Sequence, residues 1–288
     1  MREKDILTCA LFGGLLACFA GIIALNYGAL TPSLMQIGSS GWFTVLVAAF
    51  LTGYVDTCVG GGHGTLLTPV LILLGFPSMM VVPAILLSEI GIGILATILN
   101  YRVGNIRLAR GEQHRRVLLV LSVCSLVGSI VAVTLAVKLP PRWVNLYVGL
   151  VIVAVGLLLV TRRRSAPRFS MKRIVILGTI AAFNKGISGG GYGPLLTSGQ
   201  VLSGVCERGA VSITPPARGL TGLISVVLYF AAKGTLETTL ALPLVMGSLL
   251  AMPAAVFTVA RINADLLRKG ITAATLILGV LLVARALR

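Results

Sequence analysis

The stretch VGGGHGTLLTPVLILLGFP, residues 59–77, decides how the chain is read. Its glycines break an apolar region running from Gly41 to Gly75. The piece after the break, Leu66 to Gly75, covers only about 15 Å as a helix, half the hydrocarbon core of a bilayer. The pattern returns in ISGGGYGPLLTSGQVLSG, residues 187–204. Setting GGGHGTLLT at 60–68 against GGGYGPLLT at 189–197 gives seven identities in nine positions and an offset of 129 residues. One copy would be read as tight packing, because small residues let membrane helices approach closely. Two copies, each adjoining a residue suited to a helix start (Thr65, Pro194), point to a functional break, with residues 60–65 and 189–194 non-helical and meeting near mid-membrane. The half-helices that follow present free N–H groups and positive dipole ends, which hold anions. Gly61, Gly62, His63, Gly64 and Thr65 of the first break, and Gly190, Gly191, Tyr192 and Gly193 of the second, are therefore the candidate binding residues.

Outward from these motifs the composition is that of a membrane protein. Of 288 residues, 57% are hydrophobic and 11% charged, with a mean hydropathy of +1.00; a soluble domain is about a quarter charged. Uncharged runs such as Val117 to Val137, Val144 to Val160 and Leu240 to Ala260 are long enough to cross a bilayer core. The net charge of +16 sits in short loops between apolar spans, and no aromatic-rich basic face exists to read nucleic acid. The five cysteines show no CxxC spacing, which argues against a zinc or disulfide framework. GGGHGT lacks the lysine of a phosphate-binding loop, and neither Ser188 nor Ser203 has a histidine and carboxylate arranged for nucleophilic catalysis. No HExxH motif or carboxylate cluster suggests a metal enzyme. No catalytic residue, metal or cofactor is expected.

A first helix is expected over Ile6 to Leu25, with later spans over Met79 to Tyr101, 117–137, 144–160, Val211 to Ala232, 240–260 and Ile271 to Ala286. Two basic loops, RVGNIRLARGEQHRR (102–116) and TRRRSAPRFSMKR (161–173), and the amino terminus are placed in the cytoplasm. The region 41–75 then starts and ends outside, so it crosses an even number of times, as a re-entrant hairpin or as two full spans. The glycine run favours the hairpin, since irregular backbone at membrane depth must be buried in protein or line a cavity. This path puts 17 Lys and Arg inside and 5 outside. Three spans follow each motif, so the two units face opposite ways. The expected fold is all-α and polytopic: a segment 1–40 with an N-terminal helix, a first repeat 41–160, a basic linker 161–173 and an inverted second repeat 174–288.

Asp56, Glu89, Lys185 and Arg218 lie in apolar surroundings, where an unpaired charge costs about 2.5 to 3.5 kcal/mol. At the 129-residue offset Asp56 corresponds to Lys185 and Glu89 to Arg218. A pseudo-twofold axis that pairs Asp56 with Arg218 must then pair Glu89 with Lys185. These can be two structural ion pairs. In the sharper reading Lys185 and Arg218 face a substrate anion while Asp56 or Glu89 takes up a proton; the arginine fork offers two parallel donors to an oxyanion.

VGGGHGTLLTPVLILLGFP, then NYRVGNIR (100–107), then ISGGGYGPLLTSGQVLSG resemble the sulfite exporter TauE/SafE family, also called the toluene sulfonate uptake permease family, over about residues 42–286. His63, Tyr192 and the pair Arg218–Gly219 depart from its small or apolar pattern. The resemblance implies transport of sulfur oxyanions or organosulfonates (sulfite, thiosulfate, sulfoacetate type), with some members handling other small organic acids; together with the buried charges and the absence of a nucleotide-binding module in the sequence, the expectation is a secondary transporter in the cell inner membrane, with protons and the lipid bilayer as further partners. A passive anion channel and a membrane subunit of a larger complex are the alternatives.

Overall fold

The computed structural model describes residues 39–59, 62–102, 112–161, 169–205, 207–234, 238–258 and 264–287; the expected first helix, Gly60, Gly61 and most of both basic loops lie outside the described residues. Among the described residues the chain forms ten α-helices and no strand. They are α1 (Ser39–Val59), α2 (His63–Leu73), α3 (Ser78–Arg102), α4 (Glu112–Lys138), α5 (Pro141–Thr161), α6 (Met171–Ser188), α7 (Tyr192–Leu202), α8 (Glu207–Lys233), α9 (Thr238–Thr258) and α10 (Ala264–Leu287). Apolar windows in α1, α3, α4, α5 and α10 are long enough to cross a membrane. The 17-residue window Thr239–Ala255 of α9 is shorter. The 27 residues of α8 would cover about 40 Å, but they carry Arg208, Arg218 and a Pro215–Pro216 pair.

The segments that follow the two glycine motifs fold alike. Each is followed by an 11-residue helix, α2 and α7, about 16 Å long. Both helices stop in the same way. In the first, the Gly75 N–H donates to Ile72 O (3.0 Å) and the Phe76 N–H to Leu71 O (3.1 Å); in the second, Gly204 donates to Val201 O and Val205 to Gln200 O, each at 3.0 Å. This crossed pair of bonds is the helix stop that a glycine in the left-handed region makes. Every residue in it is shifted by 129 from its counterpart.

The breaks are shorter than the sequence suggested. Ile187 and Ser188 complete α6, and only Gly62 and Gly189–Gly191 are non-helical among the described residues, while His63 and Tyr192 open the half-helices. Gly62 and Gly191 take the cap positions without a side-chain cap. Thr65 and Pro194 thus fall in the first turn, where the N–H has no intrahelical acceptor, so a proline there loses no bond. The basic loops are shorter too. Helix α4 starts at Glu112 and α6 at Met171. The 27 residues of α4 cover about 40 Å, longer than the hydrocarbon core, and its first turns carry basic residues beyond the apolar window.

Helix packing follows the same correspondence. Helix α1 packs on α9 as α6 packs on α4, α3 on α9 as α8 on α4, and α2 on α3 as α7 on α8; α3 meets α8 and α5 meets α10. Exchanging α1–α5 for α6–α10 maps each of these contacts onto another of them or onto itself. Close approach is set by small residues: at Gly93 an added Cβ would lie 2.8 Å from the Gly219 Cα, where α3 crosses α8. The outer faces stay apolar, with Val123, Val127 and Val131 of α4 and Leu150 and Leu157 of α5 exposed.

Candidate functional site

The two half-helices start against each other. A Cβ on Gly64 would collide with the Gly189 carbonyl oxygen and lie 2.9 Å from the Gly190 Cα, while one on Gly190 would lie 2.6 Å from the Gly64 carbonyl carbon. Nothing larger than glycine fits between these backbones. Across the contact the Gly191 N–H donates to Thr65 Oγ1 (3.0 Å). Gly191 has φ +75°, a left-handed conformation, and an added Cβ would lie 2.8 Å from Asn184 Nδ2. Asn184 Nδ2 donates to Gly190 O (3.1 Å), and Ser188 Oγ lies 2.8 Å from Asn184 O and 3.1 Å from Gly190 O. The second break is thus stapled to α6 by two polar side chains. Gly193 is buried in the first turn of α7, and Gly61 lies outside the described residues.

Around this crossing lie the four buried charges. Arg218 pairs with Asp56, and Lys185 pairs with Glu89. Each pair joins the two halves of the chain, α8 to α1 and α6 to α3, and the offset converts one pair into the other. The four side chains are each at most 7% exposed, so neither pair is a surface contact. Taken together the four charges cancel. Lys185 Nζ also donates to Arg218 O (3.0 Å) and sits 5.0 Å from the centre of the Tyr192 ring. Nε of Arg218 is buried without a hydrogen-bond partner among the described residues, so the guanidinium retains a donor.

The first residue of each half-helix contacts the charge on the helix before it. The His63 N–H donates to Asp56 Oδ1 (3.2 Å), and Tyr192 lies under Lys185. A carboxylate at the first end and an ammonium at the second make the ends unequal: Asp56 already satisfies the start of α2, whereas the start of α7 has the Lys185 ammonium over its first ring. The His63 ring ties α1 to α3, with Nδ1 3.0 Å from Thr52 Oγ1 and Nε2 2.9 Å from Ser88 Oγ. Thr52 and Ser88 each also lie 2.8 Å from a carbonyl of their own helix, Ala48 and Ile85. Tyr192 OH donates to Ala217 O (3.4 Å) and accepts from Thr221 Oγ1 (3.0 Å).

The candidates Gly62, His63, Gly64, Thr65, Gly190, Gly191, Tyr192, Lys185, Arg218, Asp56 and Glu89 therefore converge on one buried crossing. Sequence reasoning missed Thr52, Ser88, Asn184, Ser188 and Thr221. Asn184 beside Lys185 was the readable signal, a second polar residue in an apolar run.

A buried crossing of half-helices inside a bundle of apolar helices defines a multi-pass membrane protein with the build of a transporter. The chain belongs to the sulfite exporter TauE/SafE family, whose profile matches residues 45–282. No curated protein and no solved structure matches it. The family is one of membrane anion exporters, and the expectation from the quoted motifs holds at that level.

Proposed function

We propose that the chain is a secondary carrier of a small anion, a sulfur oxyanion or organosulfonate, working by alternating access with proton coupling. One observation carries this: two half-helix starts with glycine at both cap positions, the first met by Asp56, come together beside four buried charges that cancel. An anion held by Arg218 or Lys185 must release that cation from its carboxylate, because one charge cannot be fully satisfied by two anions in a site shut off from water. Protonating Asp56 or Glu89 does this. The proton goes to the carboxylate, the cation turns to the anion, and the net charge of the site stays at zero. Proton and anion then bind together. Arg218 supplies the spare Nε donor and the start of α7 supplies N–H groups; His63, Tyr192 and the glycine backbones wall the site.

Alternating access draws support from the packing, in which the two halves exchange contacts as inverted repeats would. Contacts between segment ends agree with the inverted topology. Arg142 bonds Ala286 O and Leu287 O, Arg285 bonds Ile72 O, and Lys233 bonds Met79 O, all among ends that the charge count puts outside the cell. Ser170 bonds Ser203 O among ends that it puts inside. On this reading the protein lies in the inner membrane with a cytoplasmic amino terminus.

The test is counterflow in proteoliposomes. Vesicles loaded with unlabelled sulfite or sulfoacetate accumulate labelled substrate transiently if the protein is a carrier. Passive equilibration alone marks a channel and refutes the proposal. An imposed pH gradient drives net uptake, and a protonophore abolishes it.

A further inference from the structure

A second concentration of positive charge lies away from the crossing. A cavity of about 350 Å³ opens where the end of α2, the start of α5 and the end of α10 come together, lined by Ile72, Phe76, Arg142, Asn145, Leu282 and Arg285. The geometry points to an anion-capture site here, for a soluble anion with an oxyanion head and an apolar body, feeding the carrier proposed above from the opposite end of α2.

Three observations carry it. First, the cations differ from the paired ones at the crossing. Lys185 and Arg218 are neutralised by carboxylates, whereas neither Arg142 nor Arg285 has a carboxylate partner among the described residues. Arg142 spends Nε and one terminal nitrogen on Ala286 O and Leu287 O, and Arg285 spends one terminal nitrogen on Ile72 O and Leu73 O. Each is held in place by backbone carbonyls that remove none of its charge. Of the five Lys and Arg that the topology assigns to the outside, two line this one cavity. Second, the wall is amphiphilic. Ile72, Phe76 and Leu282 give an apolar surface beside the guanidiniums, which suits a sulfonate or carboxylate on a carbon body better than a bare, strongly hydrated sulfate. Third, the cavity holds an unanswered acceptor, since Asn145 Oδ1 is buried without a hydrogen-bond partner among the described residues. A ligand hydroxyl or a bound water would answer it.

The site is placed to act on the carrier. Helix α2 joins it to the crossing, with His63 at one end and Leu73 at the other, about 16 Å apart. The buried charges at the crossing cancel in sum and attract nothing at that range, so the cavity must concentrate the anion itself.

The test uses the full chain with its five native cysteines replaced and Ala286→Cys introduced on the cavity wall, in phosphatidylcholine nanodiscs. Two methanethiosulfonate reagents of similar size and opposite charge, one ending in a sulfonate and one in a trimethylammonium, report the local field. The sulfonate reagent is expected to be favoured by about tenfold over its ratio on a free thiol, and p-toluenesulfonate to protect the cysteine where sulfate does not. Arg142→Gln with Arg285→Gln should abolish both effects. If the ratio equals that of a free thiol, or p-toluenesulfonate gives no protection with both arginines present, the proposal is overturned, whether or not the arginine variants fold. Protection by phosphatidylglycerol in the disc and not by p-toluenesulfonate also overturns it, and assigns the cavity to a lipid headgroup. Arg218→Gln should leave labelling and protection unchanged while transport is lost, which separates failure here from failure of the carrier reading.

Discussion

Replacing Asp56 by Asn leaves the Arg218 guanidinium buried, at most 7% exposed, with its ion-pair partner gone. Breaking such a pair on one side costs about 3–5 kcal/mol, because the remaining charge stays out of water without compensation. Arg218→Gln strands Asp56 similarly, although the His63 N–H still reaches its Oδ1, so this single change is expected at the lower end of that range. The double variant Asp56→Asn with Arg218→Gln holds two neutral amides able to bond each other. It should cost no more than about 1–2 kcal/mol, giving a coupling of at least about 4 kcal/mol. At about 2–4 °C per kcal/mol, each single variant melts roughly 6–20 °C below the parent, and the double variant falls between. The assay is the fraction of monodisperse protein left after heating, paired with substrate binding to the folded fraction. Additive losses in stability would refute the ion pair. Wild-type affinity in the double variant, and in the matching cycle at Glu89 and Lys185, would refute the substrate role and leave two structural pairs. The expected result is stability largely restored and anion binding still lost.

Gly64→Ala should cost more than the about 1–3 kcal/mol of ordinary overpacking, because a Cβ there meets the backbone of Gly189 and Gly190, whereas Gly75→Ala meets nothing within 4 Å and should cost about 1 kcal/mol for its positive φ; yield of monodisperse protein compares them. His63→Ala should lower thermal stability by cutting the link between Thr52 and Ser88, yet leave the response of uptake to a pH gradient intact, since the carrier proposed above takes its proton on Asp56 or Glu89; a lost response moves the proton to the imidazole. Single cysteines at positions 142 and 233 in a cysteine-free background should react with an impermeant thiol reagent from outside, and those at 107 and 164 only after permeabilisation. Labelling of 142 and 107 from one side would rule out the topology.

The architecture was legible wherever one signal repeated. The offset from nine aligned residues fixed both half-helices, because whatever starts and stops the first at His63 and Gly75 recurs at Tyr192 and Gly204. The same offset put opposite charges at equivalent places, so that one ion pair implied the other, while which carboxylate meets which cation came from the structure. The precise ends of the breaks were not legible, since a glycine run marks where a helix can be interrupted without saying which glycine becomes the cap. The hydroxyls around His63 were hidden for another reason. A serine or threonine in a membrane helix commonly bonds the carbonyl one turn back, as Thr52 and Ser88 do, and sequence does not reveal which of them also faces a histidine. The cavity between Arg142 and Arg285 depends on where three helix ends meet, information carried by packing alone.

The reversal of sign between the halves follows from the axis that relates them. Positions 56 and 185 are equivalent, as are 89 and 218, and each contact joins a position in one half to the non-equivalent position in the other. Had the second half kept the residue types of the first, the four positions would carry two aspartates and two glutamates, four like charges in a site closed to water. No arrangement of the helices would relieve that, because the axis brings the positions together whatever occupies them. A cation on one side of each contact is the smallest change that neutralises both. It also makes the two half-helix starts unequal, the first facing Asp56 and the second beside Lys185, so one end is already taken by a carboxylate and the other is the end that the carrier proposed above leaves to the incoming anion.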